Sequence, residues 1–124
     1  MIDPKQLNGG ALAFIGDGVM TLKVREYLIE KGYTKSKQLQ EKSVDYVSAK
    51  AQSAFMVKII DLLDETEKDI YKRGRNYKSN TIPKNADSNQ YHIATGLEAL
   101  WGYWYLSGEH KRIDQIFKLM TEER

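Results

Sequence analysis

Apolar residues in this chain recur at intervals of three and four, and no stretch alternates at every second position, so the pattern is that of helices with one buried face. The first helix is predicted from about Gly9 or Gly10 to Lys31, with Gly32 as its stop. Thr34 or Ser36 is placed to cap a short second helix around Lys37 to Glu41. Ser43 then opens a long helix whose apolar side includes Val44, Val47, Ala51, Phe55, Ile59 and Leu62-Leu63. Asp64 and Glu67 have capping-box spacing and start a short helix that ends near Gly74. The polar stretch Arg75 to Asp87, with Pro83, reads as a loop. Asp87 or Ser88 caps a helix that runs to about Leu106. Gly108 breaks it, and a last amphipathic helix covers roughly Lys111 to Met120. The expectation is an all-α fold, one domain over residues 1–124.

A chain of 124 residues suffices for one sizeable core. It contains no cysteine, which excludes disulfides and thiolate metal sites. The opening Met1-Ile-Asp-Pro-Lys-Gln lacks the basic and apolar regions of a signal peptide, and no apolar run approaches the roughly 18 residues of a membrane span. A cytoplasmic protein with no membrane partner is expected. Net charge is only +2, but its distribution is uneven. Lys72, Arg73, Arg75, Lys78 and Lys84 follow one another with no intervening acid, directly after Asp61, Asp64, Glu65, Glu67 and Asp69. A one-signed segment in a near-neutral protein suggests a local anion contact. Basic residues that complement a helix C-terminus explain it as well.

Asp17 changes the picture. It lies within Leu12-Ala-Phe-Ile-Gly-Asp-Gly-Val-Met20, between two glycines. An uncompensated buried charge there is expected to cost about 3–5 kcal/mol. Glycines inside a helix cost about 1 kcal/mol each, which is acceptable where another backbone must come close. The later apolar helix has its own small positions, Ala94, Gly96, Ala99 and Gly102, around a second carboxylate, Glu98. Two such helices crossing tightly would bring both carboxylates together and suit a hard cation, Mg²⁺ or alternatively Mn²⁺. His92 and His110 fit no ligand spacing. Asp17 as a cap, with Glu98 paired to a core Lys or Arg, accounts for the same residues without a metal.

The segment around Asp17 resembles the signature of ribonuclease III domains. Three more segments, Tyr46-Val-Ser-Ala-Lys-Ala-Gln52, Arg73-Gly-Arg-Asn76 and Ala94-Thr-Gly-Leu-Glu-Ala-Leu-Trp-Gly-Tyr103, occur in the order of its short bacterial branch, the Mini-ribonuclease III family. The resemblance covers nearly the whole chain. It implies a helical ribonuclease III-like endonuclease fold and Mg²⁺-dependent cleavage of double-stranded RNA, leaving 5′-phosphate and 3′-hydroxyl ends. It further implies a homodimer and a role in maturation of 23S ribosomal RNA from a paired precursor stem.

By position, Asp17 matches the family's catalytic aspartate and Glu98 its metal-holding glutamate. Arg73, Arg75, Asn76, Lys78 and Lys84 become the RNA-binding candidates. Longer ribonuclease III enzymes carry two further carboxylates, where this chain has Ala13 and Thr95. A noncatalytic RNA-binding module of the same fold is therefore the alternative, and a helical protein-interaction domain a third reading. Phe14, Tyr27, Trp101 and Trp104 are candidates for a self-complementary interface, with core packing as an equal explanation.

Overall fold

In the computed structural model the described residues are 2–78 and 87–122. They form six α-helices with no strand among them: α1 (Gly9–Glu30), α2 (Ser36–Val47), α3 (Ala49–Ile59), α4 (Glu65–Arg75), α5 (Ser88–Leu106) and α6 (His110–Glu122). A 3₁₀ turn, Pro4–Gln6, precedes α1, and another, Ile60–Leu62, follows α3. None of the helices is long and apolar enough to cross a membrane.

Helix α5 runs through the middle of the molecule. Leu97, Leu100, Trp101 and Trp104 on it are fully buried, with the two indoles edge to face at 5.4 Å. Both tryptophans are thus core residues. Tyr27 packs edge to face on Tyr46 and Phe117, while Phe14 is 81% exposed. Helices α1, α3 and α4 surround α5. The α1–α5 crossing is the tightest: a Cβ on Gly16 would collide with the Glu98 carbonyl, and one on Gly102 with the Leu12 carbonyl. The two backbones touch there because neither glycine holds them apart.

The expected caps are present on α4 and α5. Asp64 accepts from the Glu67 amide at 2.8 Å while Glu67 accepts from the Asp64 amide at 2.9 Å, and Asp87 accepts from the Gln90 amide. The chain reverses after α1 and α5 at Gly32 and Gly108, both at positive φ. The region between α1 and α4 departs from expectation. Ser43 lies inside α2, which starts at Ser36 behind Lys35 without a side-chain cap. The long helix expected from Ser43 is broken at Ser48, whose hydroxyl accepts from the Ala51 amide at 3.1 Å and starts α3. Nothing in Val47-Ser48-Ala49 forbids a continuous helix. The bend follows from α3 packing onto α5, with Phe55, Met56 and Ile59 turned into the core.

One buried carboxylate belongs to the fold itself. Glu67 is only 5% exposed and receives Arg112 through Nε and Nη2, both at 2.8 Å, and Trp104 Nε1 at 2.7 Å. Arg112 also donates to the Leu62 carbonyl and to Gln115. Burial alone would raise the Glu67 pKa, but hydrogen bonds from Arg112, the Asp64 amide and Trp104 hold it below the usual carboxylate value. This network ties α4 to α5 and α6.

Candidate active site

The Gly16–Gly102 crossing places Asp17 of α1 beside Glu98 of α5. Asp17 is exposed, against the expectation of a carboxylate lost among apolar neighbours. Those neighbours are adjacent along the chain but not around the helix. The buried stripe of α1 is Leu12, Ala13, Gly16, Met20, Val24 and Leu28, and Asp17 sits at its edge. Phe14 and Leu22 also point outward. Gly18 has nothing within reach of an added Cβ, so only Gly16 of the flanking pair serves the close approach.

Glu98 is the carboxylate with the unusual environment. Its pKa is raised to about 8, first by burial, then by its hydrogen bond to Asp17 and by repulsion from that charge. A hydrogen bond from Gln52 works the other way. Burial and the facing Asp17 carboxylate thus favour the protonated form of Glu98.

They open onto a depression of about 370 Å³ lined by Gly10, Ala13, Phe14, Asp17, Tyr77, Tyr91, Thr95 and Glu98. Ala13 and Thr95, the positions that lack the further carboxylates, thus lie in the same wall. The Thr95 hydroxyl donates to the Tyr91 carbonyl of its own helix at 2.9 Å and offers the depression little. Tyr77 contributes an aromatic rim. Its ring lies against Gly10, where even a methyl group would overlap it. Among the described residues, no group of three or more His, Cys, Asp or Glu side chains is placed to hold a metal. His92 turns a buried Nδ1 inward without a partner.

The basic segment divides. Arg73 is occupied internally: Nη1 donates to the Lys5 and Leu7 carbonyls and Nη2 to Asp69 at 3.1 Å, which fastens the N-terminal turn to α4. Arg75 lies over the Tyr71 ring at 5.5 Å, its Nε 3.5 Å from the side-chain oxygen of Asn76. Asn76 and Lys78 are exposed, at the mouth of the chain leading out of α4. Lys84 lies outside the described residues.

The sequence alone does not single out Tyr77 or Gln52 for the site. Tyr77 follows the Arg-Gly-Arg-Asn motif, and Gln52 ends the Tyr46–Gln52 motif, so both are marked by position but not by chemistry.

Residues 10–109 match the profile of the Ribonuclease III domain. The chain is 45% identical over 118 residues to the Mini-ribonuclease 3 of Enterococcus faecalis, covering 94% of this chain and 89% of that one. It is 47% identical over 111 residues to the Mini-ribonuclease 3 of Thermoanaerobacter sp., covering 90% and 78%. The X-ray structure of a protein from Fusobacterium nucleatum is similar with a TM-score of 0.87 at 36% identity, over 95% of this chain and 94% of that one.

Proposed function

The chain belongs to the ribonuclease III domain family and is an endoribonuclease for double-stranded RNA; on that footing we propose that Asp17 and Glu98 form its active site and hold a divalent cation, Mg²⁺ or alternatively Mn²⁺. The observation that carries this is the pairing of the two carboxyls, from different helices, over one open depression. The donor set fits a hard cation. Both groups offer oxygen only, and the repulsion between them that raises Glu98 is what a cation between them would relieve. Ala13 and Thr95 add no charge, so water and RNA phosphate would have to supply the remaining ligands.

When bound, the cation lowers the pKa of water and offsets charge on the scissile phosphate. The protein supplies the rest. Asp17 presents its carboxylate at the rim, where RNA can approach. Glu98, whose pKa is raised beside Asp17, would have to give up its proton to hold the cation with Asp17. Tyr77 and Tyr91 line the approach and can contact ribose or phosphate through their hydroxyls. Arg75, Asn76 and Lys78 grip the duplex backbone through phosphates and 2′-hydroxyls, the usual features read on A-form RNA. Arg73 supports that surface by holding the N-terminal turn against α4. Lys84 remains among the RNA-binding residues of the proposal.

Residues 1–124 act as one catalytic domain, and two copies pair so that each strand of a duplex meets one site. The exposed apolar stripe of α1, with Phe14 and Leu22, supports a second copy as its cover. Phe14 also lines the carboxylate depression, which links pairing to the site. The substrate is a paired stem of precursor 23S ribosomal RNA in the cytoplasm. Incubation of the purified protein with such a stem, with and without Mg²⁺, tests the proposal. Metal-dependent double cutting with 5′-phosphate ends is expected; binding without cutting would make the protein a noncatalytic RNA-binding module instead.

A further inference from the structure

Gln52 is 3% exposed, on a turn of α3 that packs toward α5. Its Nε2 donates to the Val47 carbonyl at 2.9 Å, across the break between α2 and α3. The same side chain reaches the Glu98 carboxyl and favours its charged form. Its Oε1 is buried and has no partner. A buried acceptor left idle is unfavourable, and a methionine of similar length would fill the space without it. Packing therefore does not account for an amide here. Its donor group does: Nε2 is anchored on the Val47 backbone carbonyl, and an amide N–H near Glu98 favours the charged form of that carboxyl.

We propose that Gln52 is a positioning residue for the cleavage reaction, anchored on the Val47 carbonyl so that it holds the Glu98 carboxylate facing Asp17 and the open depression. It touches neither RNA nor cation and acts only through Glu98. The break at Ser48 thereby has a functional consequence, because it exposes the carbonyl on which the amide is anchored. This inference rests on the reading of Glu98 as a cation-holding carboxylate.

The test compares the parent protein with Gln52→Met, Glu98→Gln and the double variant. Binding of Mn²⁺ is measured by electron paramagnetic resonance of the free ion, and kcat and KM on a duplex RNA at saturating Mg²⁺. Gln52→Met is expected to weaken Mn²⁺ binding about tenfold, the lower end of what loss of a ligand's supporting hydrogen bond produces. It should also lower kcat and leave KM for the duplex unchanged, a split that a purely structural residue would not give. In the Glu98→Gln background the same substitution should add nothing. Should Gln52→Met be unfolded at the assay temperature, Gln52→Asn, which withdraws the amide by one methylene, is expected to show the same losses. Parent-like Mn²⁺ binding and kcat in the folded Gln52 variant, beside a weakened Glu98→Gln, would overturn the role of Gln52 alone. Undiminished Mn²⁺ binding by Glu98→Gln would overturn both this inference and the metal-site reading beneath it.

Discussion

Glu67 and Glu98 are both carboxylates drawn into the packing around α5, and their surroundings push them in opposite directions. Glu67 faces a guanidinium, an indole N–H and a backbone amide, and its pKa is lowered. Glu98 faces another carboxylate, and its pKa is raised to about 8. Burial acts on both in the same sense, so the partners decide. A carboxylate whose acceptors are filled by the protein has nothing to offer a ligand and serves stability. One that is held next to like charge has its acceptors left for a cation, which is the role proposed for Glu98.

The strongest way to break this comparison is at Asp17. Asp17→Asn keeps the shape of the depression but removes the charge that makes the pair anionic. Cleavage is expected to fall by roughly 10²–10³-fold or more, the scale of losing one preorganised electrostatic group. The fold and duplex binding should survive, because Asp17 is exposed and supports no core packing. Single-turnover cleavage beside a gel-shift measurement separates the two. Persistent cutting would remove Asp17 from the catalytic centre.

At the other carboxylate the expectation is inverted. Arg112→Met leaves Glu67 buried without its cation, and the loss of stability should be about 3–5 kcal/mol. Urea denaturation reads it directly. Cleavage per folded molecule should stay near the parent value at temperatures where the variant remains folded. A catalytic defect without a stability defect would mean that the two carboxylates do not divide the work as their surroundings indicate.

Titration sharpens the same contrast. The ordinary carboxylate value is 4.5, and folded Glu98 keeps its proton to about 8. Between those values the metal-free protein binds a proton that the unfolded chain has lost, so its stability falls as pH rises. Glu67 acts in the reverse sense: its contribution is present above 4.5 and is lost as pH falls through its lowered value. Denaturation of the metal-free protein across an acid-to-alkaline pH series should therefore show two opposed slopes. Asp17→Asn should flatten the alkaline one, since it removes the charge facing Glu98, and leave the acid one intact. Because a cation and a proton compete for Glu98, half-saturating Mg²⁺ should decrease as pH rises toward 8.

Much of this arrangement is legible in the sequence. The glycine positions at 16 and 102 announce a close crossing, and the crossing brings Asp17 to Glu98. The Asp64–Glu67 capping box announces the start of α4. Its second role is hidden, because Glu67 meets Arg112 only when α6 folds back over α4. Asp17 looks buried because its neighbours along the chain are apolar, whereas burial on a helix depends on the angle around its axis. Ser48 gives no warning of the break it caps, since local propensity there permits a continuous helix. Gln52 lies within a family motif, yet its chemistry depends on a carbonyl freed by that break and on a carboxyl from a helix far along the chain.

The arginines repeat the distinction between charges satisfied within the protein and charges left for a ligand, and they provide the smallest test of it. Arg73 has its donors on Lys5, Leu7 and Asp69, whereas among the described residues Arg75 meets a tyrosine face and Asn76, with Lys78 exposed beyond them. Neutralising Arg75 and Lys78 together should weaken duplex binding and reduce its dependence on salt. The slope is expected to fall by about 0.9 log units for each phosphate that is no longer neutralised, on the scale set by B-DNA. Neutralising Arg73 should instead loosen the N-terminal turn, with a drop in melting temperature and little change in slope. Titrations of a duplex at several salt concentrations distinguish the two variants. An equal reduction of slope for Arg73 would show that its guanidinium leaves the backbone carbonyls when RNA is bound, and an unchanged slope for the Arg75 and Lys78 pair would move the RNA surface elsewhere.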